Sequence, residues 1–129
     1  MTAPHESTPD ASLWIVVREA ATGVLLARGL LGRDVVKYQR ALYFLPDAVV
    51  GLPQLRLTER TASSPSLGTA RWLDLVAPDA PPDARPLARS VAWIYPDPRP
   101  GHDLIRGRYG FHPGHRGATR QTLEPLDMP

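Results

Sequence analysis

The sequence predicts a mainly β protein: a single small β-barrel, or a tent-like or sandwich domain, with about six to eight short strands and at most one short helix. Three observations lead to this prediction. The chain has 129 residues, the size of one domain with one core. Its fifteen prolines and ten glycines are typical of short strands joined by turns. No segment shows helical apolar periodicity long enough for an amphipathic helix.

The first part of the chain contains four extended segments. LWIVVRE (13–19) is apolar and rich in β-branched residues, and VLLARG (24–29) follows after an Ala-Thr-Gly turn. Two such runs around a glycine-bearing turn predict a β-hairpin. DVVKYQ (34–39) and ALYFLP (41–46) are further extended segments, the second ended by its proline.

Two central segments alternate between apolar and polar residues. QLRLTER (54–60) and TARWLDLV (69–76) have the period of two that half-buried strands show. The segment after them, APDAPPDARP (77–86), has the composition of an exposed hairpin loop. We therefore expect these two strands to be followed by a turn and a further antiparallel strand.

The last part of the domain contains SVAWIYP (90–96), one helical turn from about residue 101 to residue 106, and a short strand, RYGFHPG (108–114). Both ends of the chain are polar. We expect a disordered leader, one β-rich domain and a polar C-terminal tail at residues 1–11, 12–115 and 116–129.

Composition excludes several classes of protein. With no cysteine, the chain has no disulfide, no thiolate nucleophile and no cysteine-bound zinc. The first residues lack the basic and apolar regions of a signal peptide, and no apolar run reaches the roughly 20 residues of a membrane span. The net charge is +2 and the arginines are spread along the chain. We expect a cytoplasmic protein with no membrane and no nucleic-acid partner.

Three pieces of the chain, in order, resemble one bacterial and fungal family. They are YFLP (43–46), SPSLGTARWLDLV (64–76) and VAWIYPDPRPGHDLIRGRYGFHPG (91–114). The most specific element is Trp-x-Tyr-Pro-x-Pro, beginning at Trp93. On these residues the chain resembles the domain of unknown function 427 family over residues 13–114. The resemblance implies a compact all-β domain and no settled activity.

One element departs from the family pattern. Members commonly have Cys-Pro-aromatic-Lys-Gly-Thr-Ala where this chain has SPSLGTA (64–70). The cysteine, the aromatic residue and the lysine are replaced by Ser64, Ser66 and Leu67, while the turn residues remain. The departure keeps the turn geometry and removes those reactive groups, so it puts in doubt any chemistry that they perform in relatives and leaves open whether Ser64 or Ser66 takes over such a role.

The same stretch offers two weak candidate sites. Ser64 or Ser66 is a nucleophile only with a base beside it, and no nucleophile-elbow motif surrounds either serine. Gly68 and Thr69 can present backbone N–H groups to an anion, but no helix follows to add its dipole. Turn composition explains all four residues equally well.

Histidines near the C-terminal strand raise the question of a metal. His112 and His115 form an H-x-x-H pair across a Pro-Gly turn, and Asp103 is the nearest acidic residue to His102. Such spacing can bring two imidazoles to one ion. A polar strand end with exposed histidines is the simpler interpretation, and we expect no metal and no cofactor.

The best candidate for a binding pocket is an aromatic group. Trp72 and Trp93 lie on strands that should be adjacent, with Tyr43 and Tyr95 as further members. Inward aromatics of a small β domain often only fill its core. A pocket needs an apolar wall with a few convergent polar groups, and the polar candidates here are Asp74, Arg89 and Arg108.

Asp74 shares a strand face with Trp72 if the alternation has been assigned in the correct phase. A buried carboxylate needs a partner or a raised pKa. Arg71 points to the opposite face, so we expect Arg89, Arg106 or Arg108 to pair with Asp74.

Three functions remain open from the sequence. The first is a domain that binds a small-molecule ligand in an aromatic, arginine-lined pocket. The second is an enzyme using the same cavity, for example a cyclase acting on a specialised metabolite, for which enclosure matters more than a nucleophile. The third is an interaction module that forms a homodimer through an edge strand.

Overall fold

The computed structural model describes residues 13–125, which form two antiparallel sheets. The four-stranded sheet has the order β2-β1-β10-β9, with β1 at Leu13–Glu19, β2 at Leu25–Leu30, β9 at His115–Arg116 and β10 at Thr119–Pro125. The six-stranded sheet has the order β3-β4-β8-β7-β6-β5, with β3 at Val35–Tyr38, β4 at Ala41–Phe44, β5 at Leu55–Ser64, β6 at Gly68–Leu75, β7 at Ala88–Ile94 and β8 at Tyr109–Phe111.

The mainly β prediction is confirmed in its sandwich form. Neither sheet closes on itself within residues 13–125, so the barrel alternative is wrong. The described residues form ten strands rather than six to eight: β1–β8 correspond to the predicted extended segments, and β9 and β10 lie at and beyond the predicted end of the domain. Helical structure in this range is limited to single 3-10 turns at Pro46–Ala48, Leu52–Gln54 and Asp103–Ile105. No helix of these residues has the length and apolar character needed to cross a membrane.

The domain extends further than the sequence suggested. β10 pairs with β1 at seven positions, so residues predicted to form a polar tail complete the four-stranded sheet. Backbone hydrogen bonding rather than apolar alternation fixes this strand, which explains why its polar sequence gave no strand signal. The predicted leader, residues 1–11, lies outside the described residues.

The six-stranded sheet is apolar on both faces. On β4, Leu42 and Phe44 enter the core shared with the four-stranded sheet, while Ala41 and Tyr43 belong to a second cluster on the other face. The same division separates Leu73 from Trp72 on β6. A strand can serve two apolar layers in this way because successive side chains point to opposite faces. The second cluster is where the candidate site is found.

Bulges interrupt both neighbours of β6. In β5, residues 58–60 lie between the pairs Leu57–Leu73 and Thr61–Arg71, so three residues oppose Trp72 alone. In β7, residues 89–91 likewise oppose Asp74. Extra residues leave ladder groups unpaired and increase local twist. Side chains must therefore satisfy the interrupted positions.

Asp74 ties the two bulges together. Its carboxylate is 4% exposed and accepts hydrogen bonds from the guanidinium of Arg60, in the β5 bulge, and from the Ser90 N–H, in the β7 bulge, at 2.9 Å. Ser90 has a φ of 55°, a left-handed conformation that few non-glycine residues adopt. Burial alone would raise the pKa of Asp74, but the hydrogen bonds from Arg60 and Ser90 and the positive charges of Arg60 and Arg56 lower it overall.

The prediction that Arg89, Arg106 or Arg108 pairs with Asp74 is wrong. Arg106 pairs instead with Asp97 and Asp103, at 2.9 and 2.8 Å, and the partner of Asp74 is Arg60. Regular pairing would keep residue 60 away from this position. The two extra residues of the β5 bulge bring it there, and a bulge is not visible in apolar alternation.

Replacing Asp74 with asparagine should lower the free energy of unfolding by about 2 kcal/mol, measured by chemical denaturation. The change removes the counter-charge of Arg60 and weakens the bond to the Ser90 N–H. Because Arg60 is 42% exposed and stays in contact with water, the loss is smaller than for a fully buried pair. Asp103→Asn is the control, since it removes a 72% exposed carboxylate from an ion pair and should leave the midpoint unchanged. Equal effects of the two variants would contradict the role given to Asp74.

The stability difference between the wild type and Asp74→Asn should disappear in acid. The pKa of Asp74 is lowered in the folded state, so its charge stabilises the fold above the unfolded-state pKa and this stabilisation is lost as the pH falls through the folded-state pKa. Denaturation series from about pH 6 to about pH 2 should show the difference shrinking below about pH 4. A difference that persists at the acid end would mean that packing, not charge, is responsible.

Candidate ligand-binding site

A cavity of about 380 Å³ opens on the face of the six-stranded sheet that is turned away from the four-stranded sheet. Its aromatic lining residues are Tyr43, Trp72, Trp93 and Tyr95, and its polar lining residues are Gln39, Arg40, Ser64 and His112. Three alanines and Leu67 complete it. We call this the aromatic cavity.

The two tryptophans form its wall from adjacent strands. Trp72 of β6 and Trp93 of β7 are directly opposite in register, with ring centroids 5.6 Å apart and planes at 74°. A Cβ added at Gly110 of β8 would lie 2.4 Å from the Trp93 indole nitrogen. Only a glycine at this position lets the indole lie against the neighbouring strand.

Hydrogen bonds fix the tyrosines of the aromatic cavity. The Trp93 indole N–H donates to the Tyr43 hydroxyl at 3.1 Å, and both groups are buried. Burial raises the pKa of Tyr43 and of Tyr95, against the lowering effects of hydrogen bonds to Trp93 and Ser64 respectively. Both hydroxyls are therefore protonated at neutral pH and can donate hydrogen bonds.

The connection between β7 and β8 packs against the same aromatic cluster. Ile105 is fully buried and belongs to the second cluster. The His102 ring nitrogen and the Tyr38 hydroxyl form a hydrogen bond at 2.5 Å. The Arg99 N–H donates to the Leu67 carbonyl at 2.8 Å, which attaches this connection to the β5–β6 hairpin. The aromatic rings are thus held by contacts on several sides before any ligand binds.

Two hairpin tips meet at the polar end of the cavity. The Ser66 hydroxyl, in the β5–β6 turn, donates to the Gln39 side-chain oxygen, in the β3–β4 turn, at 3.3 Å. Gln39 and Arg40 have φ values of 47° and 67°, which non-glycine residues seldom adopt and which cost free energy. Strain of this kind is common where a residue serves a binding role.

Arg40 gives this end of the cavity its charge. It is exposed, it lines the cavity, and it forms no ion pair with any residue whose side chain the structure describes. No aspartate or glutamate is among the lining residues. The lining can therefore offer positive charge and hydrogen-bond donors to a ligand, together with aromatic surface.

The structure brings together some of the predicted site residues and not others. Tyr43, Trp72, Trp93 and Tyr95 line the one cavity, whereas Asp74, Arg89 and Arg108 do not. Asp74 forms an ion pair with Arg60, and Arg89 is exposed on β7. Arg108 is half-buried, and one of its terminal nitrogens is buried without a hydrogen-bond partner among the described residues. The polar residues that do line the cavity are Gln39, Arg40, Ser64 and His112.

Gln39 and Arg40 were missed because a two-residue turn has no periodicity to show which way its side chains point. His112 was considered only as a metal ligand; its ring lies 4.9 Å from the Trp93 ring. In the part of the chain that the structure describes, no three histidine, aspartate or glutamate side chains come close enough to hold a metal.

The serines of the weak candidate site support a turn. The Ser64 hydroxyl accepts from the Leu67 N–H at 3.2 Å and lies 3.3 Å from the Ser66 hydroxyl. These bonds close the β5–β6 hairpin. Gly68 and Thr69 follow the turn and lie outside the aromatic cavity.

Comparison with known proteins identifies one family. A family model described as domain of unknown function (DUF427) matches residues 21–122, more than three quarters of the chain. The match confirms the resemblance inferred from the motif residues. A search of curated proteins finds no match.

Arg40→Gly should raise the free energy of unfolding by about 1 kcal/mol, because glycine adopts a positive φ without strain. Thermal denaturation is the measurement. Arg40→Gln is the control: it removes the same charge but keeps a side chain in the left-handed conformation, so it should bring no such gain. If both variants gain equally, charge rather than backbone conformation limits stability at this turn.

Proposed function

The chain belongs to the DUF427 family, and we propose that it binds a small planar molecule carrying an anionic group in the aromatic cavity. The observation that supports this most directly is the combination of aromatic walls with Arg40, a cation without an ion pair among the described residues. Aromatic walls with a few placed polar groups are typical of small-molecule sites.

The volume sets the size of the ligand. At about 380 Å³ the cavity is at the small end of ligand pockets, which range from roughly 300 to 1,000 Å³. Water occupies about 30 Å³ per molecule in the liquid, so the space corresponds to a ligand of about a dozen non-hydrogen atoms. A one- or two-ring aromatic acid has this size.

The lining favours an anion over a cation. Aromatic cages for ammonium ligands offer ring faces to the charge, but here the ionisable group without a counter-charge is Arg40. A guanidinium can form a bidentate pair with a carboxylate. The protonated hydroxyl of Tyr95 can add a further donor. We assign the ring system of the ligand to the tryptophan wall and its anionic group to the Arg40 end.

Catalysis in the same cavity is the second candidate. Ser64, Tyr95 and His112 are lining groups that can hold or move a proton. No carboxylate accompanies them in the lining, so the lining favours reactions that need hydrogen bonding and orientation of the substrate, such as a cyclisation, over nucleophilic chemistry. Recovery of the ligand unchanged after prolonged incubation distinguishes binding from conversion.

Pairing through β5 is disfavoured as a dimer contact. This edge strand contains the bulge at residues 58–60 and exposed charged side chains at Glu59 and Arg60. Bulges and charges on an edge are the features that prevent strand addition.

Isothermal titration should detect binding of aromatic acids and discriminate against their amides. Benzoate, naphthoate and indole carboxylate are each compared with the matching amide, which keeps the ring and removes the charge. Arg40→Gln should weaken binding of the acids about tenfold or more and remove the preference for acid over amide. Trp72→Ala should weaken acid and amide alike, since it removes the wall that both use.

Lys37→Gln is the matched control, because it removes an exposed cation of the neighbouring strand that is not in the lining. It should leave every affinity unchanged. The proposal fails if none of the acids binds to the folded wild type, or if Arg40→Gln and Lys37→Gln have equal effects.

A further inference from the structure

The β5–β6 hairpin has a second concave face. Its side chains alternate, so that Ala62 and Ala70 line the aromatic cavity while Thr61, Thr69 and Arg71 point to the opposite side. There they form a groove with Pro96, Asp97 and Arg99 of the β7–β8 connection, and Gly68 lies at its base. We call this the hairpin groove; its volume is about 490 Å³.

Two guanidiniums lie in the hairpin groove without an ion pair to any side chain that the structure describes. Arg71 donates through its Nε to the Thr58 carbonyl at 3.0 Å, which orients the side chain and leaves its terminal nitrogens available. Arg99 is fixed at its backbone, where its N–H donates to Leu67 and its carbonyl accepts from the His102 N–H. The Arg71 side chain, held before binding, loses less conformational entropy when a ligand binds.

The acidic residue of the groove offsets only part of this charge. Asp97 is paired with Arg106, at 2.9 Å between the guanidinium and the carboxylate. Arg106 is shared with Asp103, at 2.8 Å, so these three groups together carry one negative charge against the two positive charges of Arg71 and Arg99. Arg71 and Arg99 are therefore the cations of the groove that lack a carboxylate partner.

Hydroxyl groups accompany the two cations. Thr61 and Thr69 both line the groove and are exposed. Gly68 has a φ of 110°, and a Cβ there would lie 3.6 Å from the Arg99 nitrogen. The positive φ favours glycine at this position, and the backbone of the connection that carries Arg99 lies in van der Waals range of it.

We propose that the hairpin groove is a second binding site, separate from the aromatic cavity, and that it takes the phosphate group of a phosphate monoester. Two guanidiniums and two hydroxyls are donors that can surround a tetrahedral oxyanion from several directions. An aromatic carboxylate would find no ring surface here, since the lining contains no aromatic residue. The two faces of one hairpin thus select different anions.

Titration with inorganic phosphate at constant ionic strength, followed by calorimetry and by amide chemical shifts, tests the site. The wild type should bind phosphate saturably, with the largest shifts at residues 68–71 and 97–99. Arg99→Gln should weaken phosphate binding about tenfold or more. Arg89→Gln is the matched control, because Arg89 is an exposed cation outside the groove, and it should leave the affinity unchanged.

Two further variants keep the test decisive. Arg71→Gln would remove the hydrogen bond to Thr58 and disturb the bulge as well as the charge. Thr69→Val is used instead, because it removes an exposed hydroxyl group of the same groove and should weaken phosphate binding. Ala62→Trp narrows the aromatic cavity and should leave phosphate binding intact. The proposal is overturned if phosphate shows no saturable binding, if Arg99→Gln and Arg89→Gln weaken it equally, or if Ala62→Trp abolishes it in a protein that remains folded.

Discussion

The ion pair between Asp74 and Arg60 is the interaction on which the candidate sites depend. A buried carboxylate in the middle of a sheet is costly unless it is compensated. Here the compensation comes from the residues that the two flanking bulges displace, the guanidinium of Arg60 on one side and the N–H of Ser90 on the other. One polar group therefore stabilises two irregular backbones.

The bulges divide the β5–β6 hairpin into two parts. In the part nearer the C-terminal end of β6, Leu73 and Leu75 pack in the core between the sheets. In the part nearer the β5–β6 turn, Ala70 faces the aromatic cavity and Thr69 and Arg71 face the hairpin groove. A bulge increases twist and bends the strand, and in this outer part of the hairpin one face lines the aromatic cavity and the other lines the hairpin groove.

Much of the fold could be predicted from the sequence because it depends on period-two alternation and turn residues. The sequence predicted that Trp72 and Trp93 lie on adjacent strands, and the two residues are directly opposite each other in the structure. The sequence also suggested that aromatic residues on both strands share one environment, and they do. Alternation could not show that the core lies on the Leu73 side, since both faces of β6 are apolar enough to be buried.

The polar residues of the site were harder to predict for a physical reason. Arg40 and Gln39 belong to a turn, where side-chain direction depends on φ and not on sequence period. Arg60 reaches Asp74 only because of two inserted residues. Strand patterns predict which apolar surfaces are buried, but charges are placed by the irregular positions between regular strands.

The cost of those irregular positions is informative in its own right. Gln39, Arg40 and Ser90 all adopt positive φ without being glycine, and each such residue costs of order 1 kcal/mol. Ser90 recovers part of this cost through its bond to Asp74. For Arg40 the described side chains provide no ion pair that would offset this free-energy cost, and a glycine would fit the same turn without strain. The two-residue β3–β4 turn requires a positive φ at both of its central positions, and the binding role proposed for Arg40 would account for a cation rather than a glycine at the second of them.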